Sequence, residues 1–250
     1  MLKDYKNLEK TGIVAIKKAT KYIENAGPIS VLENLKHDLK INHDLEINNI
    51  LIDSLSKTGI TIISEESTHK KFNLPELCWI IDPIDGSVNY LRNFPFSAIS
   101  IALWEGGKPI IGIVCDLSNK HIYHSSKVYM ENEFSVSKTN MLRNVIFATG
   151  FPSTKNTNQF NLQNFTKSLN QFKKVRIIGS ASLSLIYLAR GSFDAYFEDG
   201  IFIWDVAAAL NIVNNSGGKF RIKFYEDSFR CKVLAANSFI FKKIEKLIDW

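Results

Sequence analysis

The stretch CWIIDPIDGSVNY, residues 78–90, joins an apolar run to two carboxylates and a glycine. Its opening, CWIID at 78–82, has the continuous apolar character of a buried strand. Pro83 stiffens the turn beyond it and Gly86 releases that turn, so the carboxylates of Asp82 and Asp85 and the carbonyl of Ile84 can converge on one point. An oxygen-only cluster suits a hard cation, magnesium before zinc. Taken singly, either Asp could cap a turn or a helix instead. That alternative does not account for Glu65 and Glu66, which close a second apolar run (ITIIS, 60–64), or for Trp204-Asp205 ahead of Ala207-Ala208-Ala209. Acids delivered to one place from separate segments repel one another unless a cation lies between them. If a helix starts after Asp85, the free amides of Gly86 and Ser87 add the anion half, because helix N-termini favour phosphate. No Cys, Ser or His is placed as a covalent nucleophile. His37, His43, His69, His121 and His124 fit no zinc-protease or triad spacing and read as surface or capping residues.

Outward from this stretch, apolar residues at helical spacing (Leu8, Ile13, Ile16, Ala19, Ile23) predict a helix over about 3–26, stopped by Gly27-Pro28. A polar connector with Lys36 and Asp38 leads to a second helix over 44–57, ended by Gly59. FSAISIALW, IIGIVCD and HIYHS, between 96 and 125, read as strands with a turn at 105–109. Further on, a strand near 145–149 precedes an amphipathic segment at 159–172, and VRIIG runs into a helix that ends at Arg190. DAYFE (194–198) is a strand, a helix opens at Trp204, AAN (235–237) closes a last strand, and a helix covers 238–249. This mixed order, with an antiparallel run in the middle, predicts a layered α/β (α+β) fold rather than a doubly wound sheet.

The chain has 250 residues, 45% of them hydrophobic, with 31 Lys+Arg against 25 Asp+Glu and a net charge of +6. That composition excludes a disordered protein. Cys78, Cys115 and Cys231 have no zinc or redox spacing, as in a reduced intracellular protein. The charged N-terminus lacks a signal-peptide core and no stretch approaches the ~18 apolar residues of a membrane span, so a cytoplasmic location without a membrane partner is expected. The lysines are scattered, with no zinc-finger or RNA-recognition spacing, and a nucleic-acid partner is not expected.

Three motifs, WIIDPIDGSVNY (79–90), SEES (64–67) and WDVAAA (204–209), resemble the signatures of the inositol monophosphatase family of magnesium-dependent, lithium-sensitive phosphatases. The resemblance covers almost the whole chain. It implies a layered αβαβα sandwich of the inositol monophosphatase and fructose-1,6-bisphosphatase type. It also implies one catalytic unit over 1–250, with an N-terminal α+β part to about 140 and a C-terminal α/β part from about 141. Position by position, it implies that Glu65, Asp82, the Ile84 carbonyl, Asp85 and Asp205 hold Mg2+, two to three ions in all, with Asp44 serving a further, weaker one. Ser87, in place of the usual Thr, would act with Glu65 and Asp44 to orient and deprotonate the attacking water. Asp85, Gly86, Ser87 and Asp205 would border the substrate's phosphate, and Gly179, Ser180, Ala181 and Glu198 would receive its sugar or cyclitol. The implied reaction is phosphate monoester hydrolysis by in-line attack of a metal-activated water, in a homodimeric enzyme.

Val88-Asn89-Tyr90 and Glu198 put an inositol phosphate or similar sugar phosphate first among substrates, since a carboxylate accepts hydrogen bonds from vicinal hydroxyls. The alternatives are a 3′(2′),5′-bisphosphate nucleotidase, a fructose-1,6-bisphosphatase, a histidinol-phosphatase and, from another class, an RNA-associated regulatory protein. Several positions depart from the family pattern: Ser87 and Ile41 stand where Thr is usual, Ser64 replaces a Gly, and 127–137 lacks the usual Gly-rich hairpin. None removes a metal ligand, so an active enzyme is expected.

Overall fold

The computed structural model describes residues 4–34, 39–67, 72, 74–126, 134–150 and 162–248. Helix α1 (Tyr5–Asn25) starts where the Asp4 carboxylate accepts from the Asn7 amide at 3.1 Å, and its apolar face carries Ala15, Ile16 and Ala19 into the core. A short antiparallel hairpin of β1 (Val31–Asn34) and β2 (Leu39–Ile41) leads to α2 (Asn42–Ser56). Then come β3 (Thr61–Ser64), β4 (Leu77–Asp85), α3 (Ser87–Leu91), β5 (Ala98–Glu105), β6 (Lys108–Asp116) and β7 (His121–Ser126). The second half runs β8 (Ile146–Thr149), α4 (Leu162–Leu169), β9 (Lys174–Arg176), α5 (Ala181–Ala189), β10 (Ala195–Phe202), α6 (Ile203–Asn215), β11 (Gly218–Phe224), β12 (Arg230–Asn237) and α7 (Phe241–Leu247).

The longer strands form two five-stranded sheets. The first has the order β3-β4-β5-β6-β7, with β3 parallel to β4 and the other neighbours antiparallel. The second has the order β11-β12-β10-β8-β9, with β8 parallel to both β10 and β9.

Side-chain alternation along these strands decides the layers. Trp79, Ile81, Ile99 and Ile101 on one face of the first sheet pack with Ile16 of α1 and Leu51 of α2. The other face presents Cys78, Ile80, Ala98 and Ala102 to α5 and α6, which meet Tyr196, Val233 and Ala235 of the second sheet. The far side of that sheet, with Phe197 and Leu234, is covered by Phe241 and Ile244 of α7. The architecture is therefore the expected αβαβα sandwich. Ala207, Ala208 and Ala209 are fully buried, and a Cβ on Gly112 of β6 would lie 2.0 Å from the Ala208 carbonyl oxygen. Small residues on both partners set the close approach of α6 to the first sheet.

The structure amends the sequence reading at three elements and two histidines. The strand expected to end at Asp82 continues through Pro83 to Asp85, with a register shift between Asp82 and Asp85 in place of a turn. A bulge re-aims side chains without ending the strand, and the missing Pro83 amide is tolerated at such an irregularity. Strand β11 was not foreseen, and α7 is shorter than the helix expected over 238–249. Two histidines are not surface groups: His43 is buried between the Tyr90 hydroxyl (2.9 Å) and the Gly27 carbonyl (3.1 Å). His124 is likewise buried, at 3.0 Å from Glu9. Lys36, Asp38, His37, His69, the start of the 159–172 segment and most of 127–137 lie outside the described residues. Among the described residues, no helix is long and apolar enough to cross a membrane.

Candidate metal centre

Strand parity places Asp82. Cys78 and Ile80 face the helices between the sheets, and Asp82, two residues further, continues that inward series at 1% exposure. Glu65 follows the end of β3, where its amide donates to the Ile81 carbonyl at 3.3 Å and holds the turn against β4. Asp205 occupies the first turn of α6, its Oδ2 accepting from the Phe202 amide at 3.1 Å. One carboxylate oxygen from each of Glu65, Asp82 and Asp205 lies within 4.8 Å of the others.

This cluster carries a mark of an intended cation. Both oxygens of Asp82 are buried and meet no hydrogen-bond donor among the described residues. Burial, then the charges of Glu65, Asp85 and Asp205, push its carboxyl well above the ordinary range. Burial and the charges of Glu65, Asp85 and Glu198 do the same to Asp205. Buried oxygens without donors, in an oxygen-only set, fit a hard divalent ion such as Mg2+.

Asp85 is treated differently. Its Oδ2 accepts from the Ser180 hydroxyl at 2.6 Å and the Ser182 amide at 2.8 Å, and its Oδ1 from the Ala181 amide at 3.3 Å. Burial raises its carboxyl, and these donors at the start of α5 pull it back. Ser180 and Ala181, expected at the substrate's sugar or cyclitol, are both buried and hold Asp85, while Ser180 also caps α5. Gly86 has φ +83°, and a Cβ there would lie 2.8 Å from the Phe96 carbonyl and 2.9 Å from that of Gly179. Gly179 has φ +73°, with the Asn89 amide nitrogen 2.9 Å from where its Cβ would stand. The Ser87 hydroxyl lies 2.9 Å from the Ile84 carbonyl and 3.3 Å from Asp44 Oδ1. Asp44 is buried, and its other oxygen accepts from the Ile41 amide at 2.9 Å.

The sequence profile described as the inositol monophosphatase family matches residues 4–243. The chain belongs to the inositol monophosphatase family. A Nus factor SuhB of Xylella fastidiosa is 38% identical over 147 residues, 57% of this chain and 54% of that protein, so the match spans about half of that relative. The inositol-1-monophosphatase of Bacillus subtilis is 30% identical over 221 residues, 83% of this chain and 82% of the other. A solved IMPase/NADP phosphatase complexed with Mg2+ and phosphate shares the fold at a TM-score of 0.82 and 20% identity, covering 98% of this chain and 96% of that one.

In this inositol monophosphatase-family chain, Glu198 stands apart from the cation cluster, on β10 beside the end of β8. Its Oε2 accepts from the buried Tyr196 hydroxyl at 2.5 Å, and the Gly150 amide also donates to it. Burial raises its carboxyl to about 7, Tyr196 and Gly150 oppose that rise, and Asp85 adds to it. Sequence reading missed Ser182, Tyr196 and Gly150. Tyr196 could have been found from parity, since residues two apart on a strand share a face. Ser182 carried no local sign of its bond to Asp85.

Proposed function

We propose that the protein is a magnesium-dependent phosphate monoester hydrolase acting on an inositol phosphate or similar polyol phosphate. The observation that carries this reading is the Glu65, Asp82 and Asp205 cluster with its donorless Asp82 oxygens. Glu65, Asp82, the Ile84 carbonyl, Asp85 and Asp205 are the groups that would hold the ions. Bound magnesium supplies charge to neutralise phosphate oxygens and to acidify water. The chain's own groups do the rest. The Ser87 hydroxyl has one proton and two acceptors, Ile84 O and Asp44, so a lone pair stays free to orient the attacking water, with Glu65 and Asp44 as proton acceptors. The amides of Gly86 and Ser87, at the start of α3, have no partner within the helix and support the phosphate oxygens.

The polyol part of the reading is supported by Glu198, held as an acceptor beside the acid cluster. Asn89 supports it less than its motif suggested, because its amide is committed to the Phe96 and Ile178 carbonyls at 2.8 Å each. A phosphate-release panel tests both parts: inositol 1-phosphate, fructose 1,6-bisphosphate, histidinol phosphate and adenosine 3′,5′-bisphosphate, with and without magnesium and with lithium. Release from the inositol ester, stopped by chelation, is expected. Release confined to the nucleotide would overturn the polyol assignment, and no magnesium-dependent release at all would overturn the phosphatase. A regulatory role is the second reading, favoured by the Nus factor name of the Xylella relative, and the net positive charge makes RNA the partner to test. RNA binding that weakens steeply with salt would support it.

A further inference from the structure

We propose that Tyr196 is the positioning residue for Glu198, its buried hydroxyl and the bare backbone of Gly150 fixing the carboxylate to accept from vicinal hydroxyls of a polyol phosphate. The inference rests on the phosphatase reading above, in which Glu198 meets the substrate's alcohol part, and adds how that carboxylate is held.

Tyr196 and Glu198 are alternate residues of β10 and share the face turned toward the space between the sheets. Tyr196 is fully buried, and its hydroxyl reaches Glu198 Oε2 at 2.5 Å. On the other side, a Cβ on residue 150 would stand 2.1 Å from Oε2 and 2.2 Å from Oε1, so the carboxylate lies flat against the Gly150 backbone. The neighbouring strand is pinned there as well, because the Thr149 hydroxyl donates to the Phe197 carbonyl at 2.6 Å. Glu198 is therefore held by two neutral donors, Tyr196 and Gly150. A carboxylate has about four acceptor directions, and two donors leave the others for ligand hydroxyls.

A buried phenol alone does not explain this arrangement. A backbone carbonyl would satisfy the Tyr196 proton without setting another acid near Asp85, whose charge raises its protonation, and near Asp205, whose carboxyl it raises in turn. Glu198 lies outside the cluster of carboxylates close enough to share one ion. Its placement makes chemical sense for a group that meets the substrate beyond the phosphate. Tyr196 stays a donor at working pH, since burial and then Glu198 hold its phenol well above the ordinary range.

The test is Tyr196→Phe in the magnesium-loaded enzyme, assayed on inositol 1-phosphate and on p-nitrophenyl phosphate, which has no hydroxyls to recognise. The ring stays in place and only the O–H is lost. KM for inositol 1-phosphate should rise about tenfold with kcat within twofold of wild type, while both constants for the aryl ester stay within twofold. Glu198→Gln should likewise raise KM for inositol 1-phosphate, and the double variant should add little to that rise. Equal losses on the two substrates, or no change on either, would overturn the role of Tyr196. Wild-type turnover of the aryl ester without turnover of the inositol ester would overturn polyol recognition and leave the phosphatase standing. Absence of magnesium-dependent turnover on both in wild type would overturn the phosphatase itself and, with it, this role.

Discussion

At Asp82 two buried carboxylate oxygens lie where no donor among the described residues reaches them, and the cost falls on the metal-free protein. Asp82→Asn should lower magnesium-dependent phosphate release by at least about a thousandfold, since it removes a carboxylate from the cluster proposed to hold the charge that drives phosphoryl transfer. The chain should stay folded, with a metal-free Tm unchanged or a few degrees higher, as circular dichroism melting would show. Near-normal turnover in this variant would sink the assignment of the centre. The direction of the carboxyl shifts also fixes a pH dependence. Asp82 and Asp205 are raised well above the ordinary range and Glu198 to about 7, so the folded, metal-free protein retains protons that the unfolded chain releases. Their contribution is complete below the ordinary carboxylate range and is lost as pH climbs through the raised values. The gap between Tm with magnesium and Tm with chelator should therefore widen from pH 5 to pH 8. A constant gap would contradict it.

Among the elements, the passage from β4 into α3 governs the centre, because one bulge and one left-handed glycine turn Asp85 and Ser87 toward it. Gly86→Ala puts a Cβ against two backbone carbonyls at positive φ. It should destabilise the protein by about 1–3 kcal/mol and abolish turnover. Gly27→Ala, with open space around it, is the matched control, and equal effects of the two in urea unfolding would defeat the argument. Much of this passage was legible. The apolar run before Asp82, the acids at strand ends and the helix after Gly86 all follow from composition and spacing. The continuation of β4 through Pro83 was not, because proline and glycine signal a turn locally while the pairing of Asp85 with Ala98 that overrides them is a contact across the sheet. Strand β11 was also missed: only Phe220, Ile222 and Phe224 of the seven residues GKFRIKF are large and apolar, as suits a strand at the edge of its sheet. The partners of Asp85 and Glu198 come from tertiary proximity, which no local pattern encodes.

For the whole molecule, the decisive fact is that α6 serves both sheets. Its residues share one core with Cys78, Ile80 and Ala102 of the first sheet and with Val233 and Ala235 of the second. The same helix delivers Asp205 to Asp82, so the cation cluster exists only when the two halves are assembled. Gly112→Ala drives a Cβ into the Ala208 carbonyl and should cost about 3 kcal/mol while weakening magnesium binding, because it pushes α6 off the sheet. Denaturation should show one transition rather than two, with probes in either half coinciding. A separate early transition reported by Trp79 or Trp104 fluorescence would contradict a shared core. The position of α6 has a further consequence during synthesis. The first sheet is complete once Ser126 has emerged, but its inner face has no cover until α5 and Ile203–Asn215 follow. A nascent chain halted between those points exposes a ready-made apolar wall, so truncated products of this message should be captured by chaperones or aggregate, never accumulating as free half-enzymes.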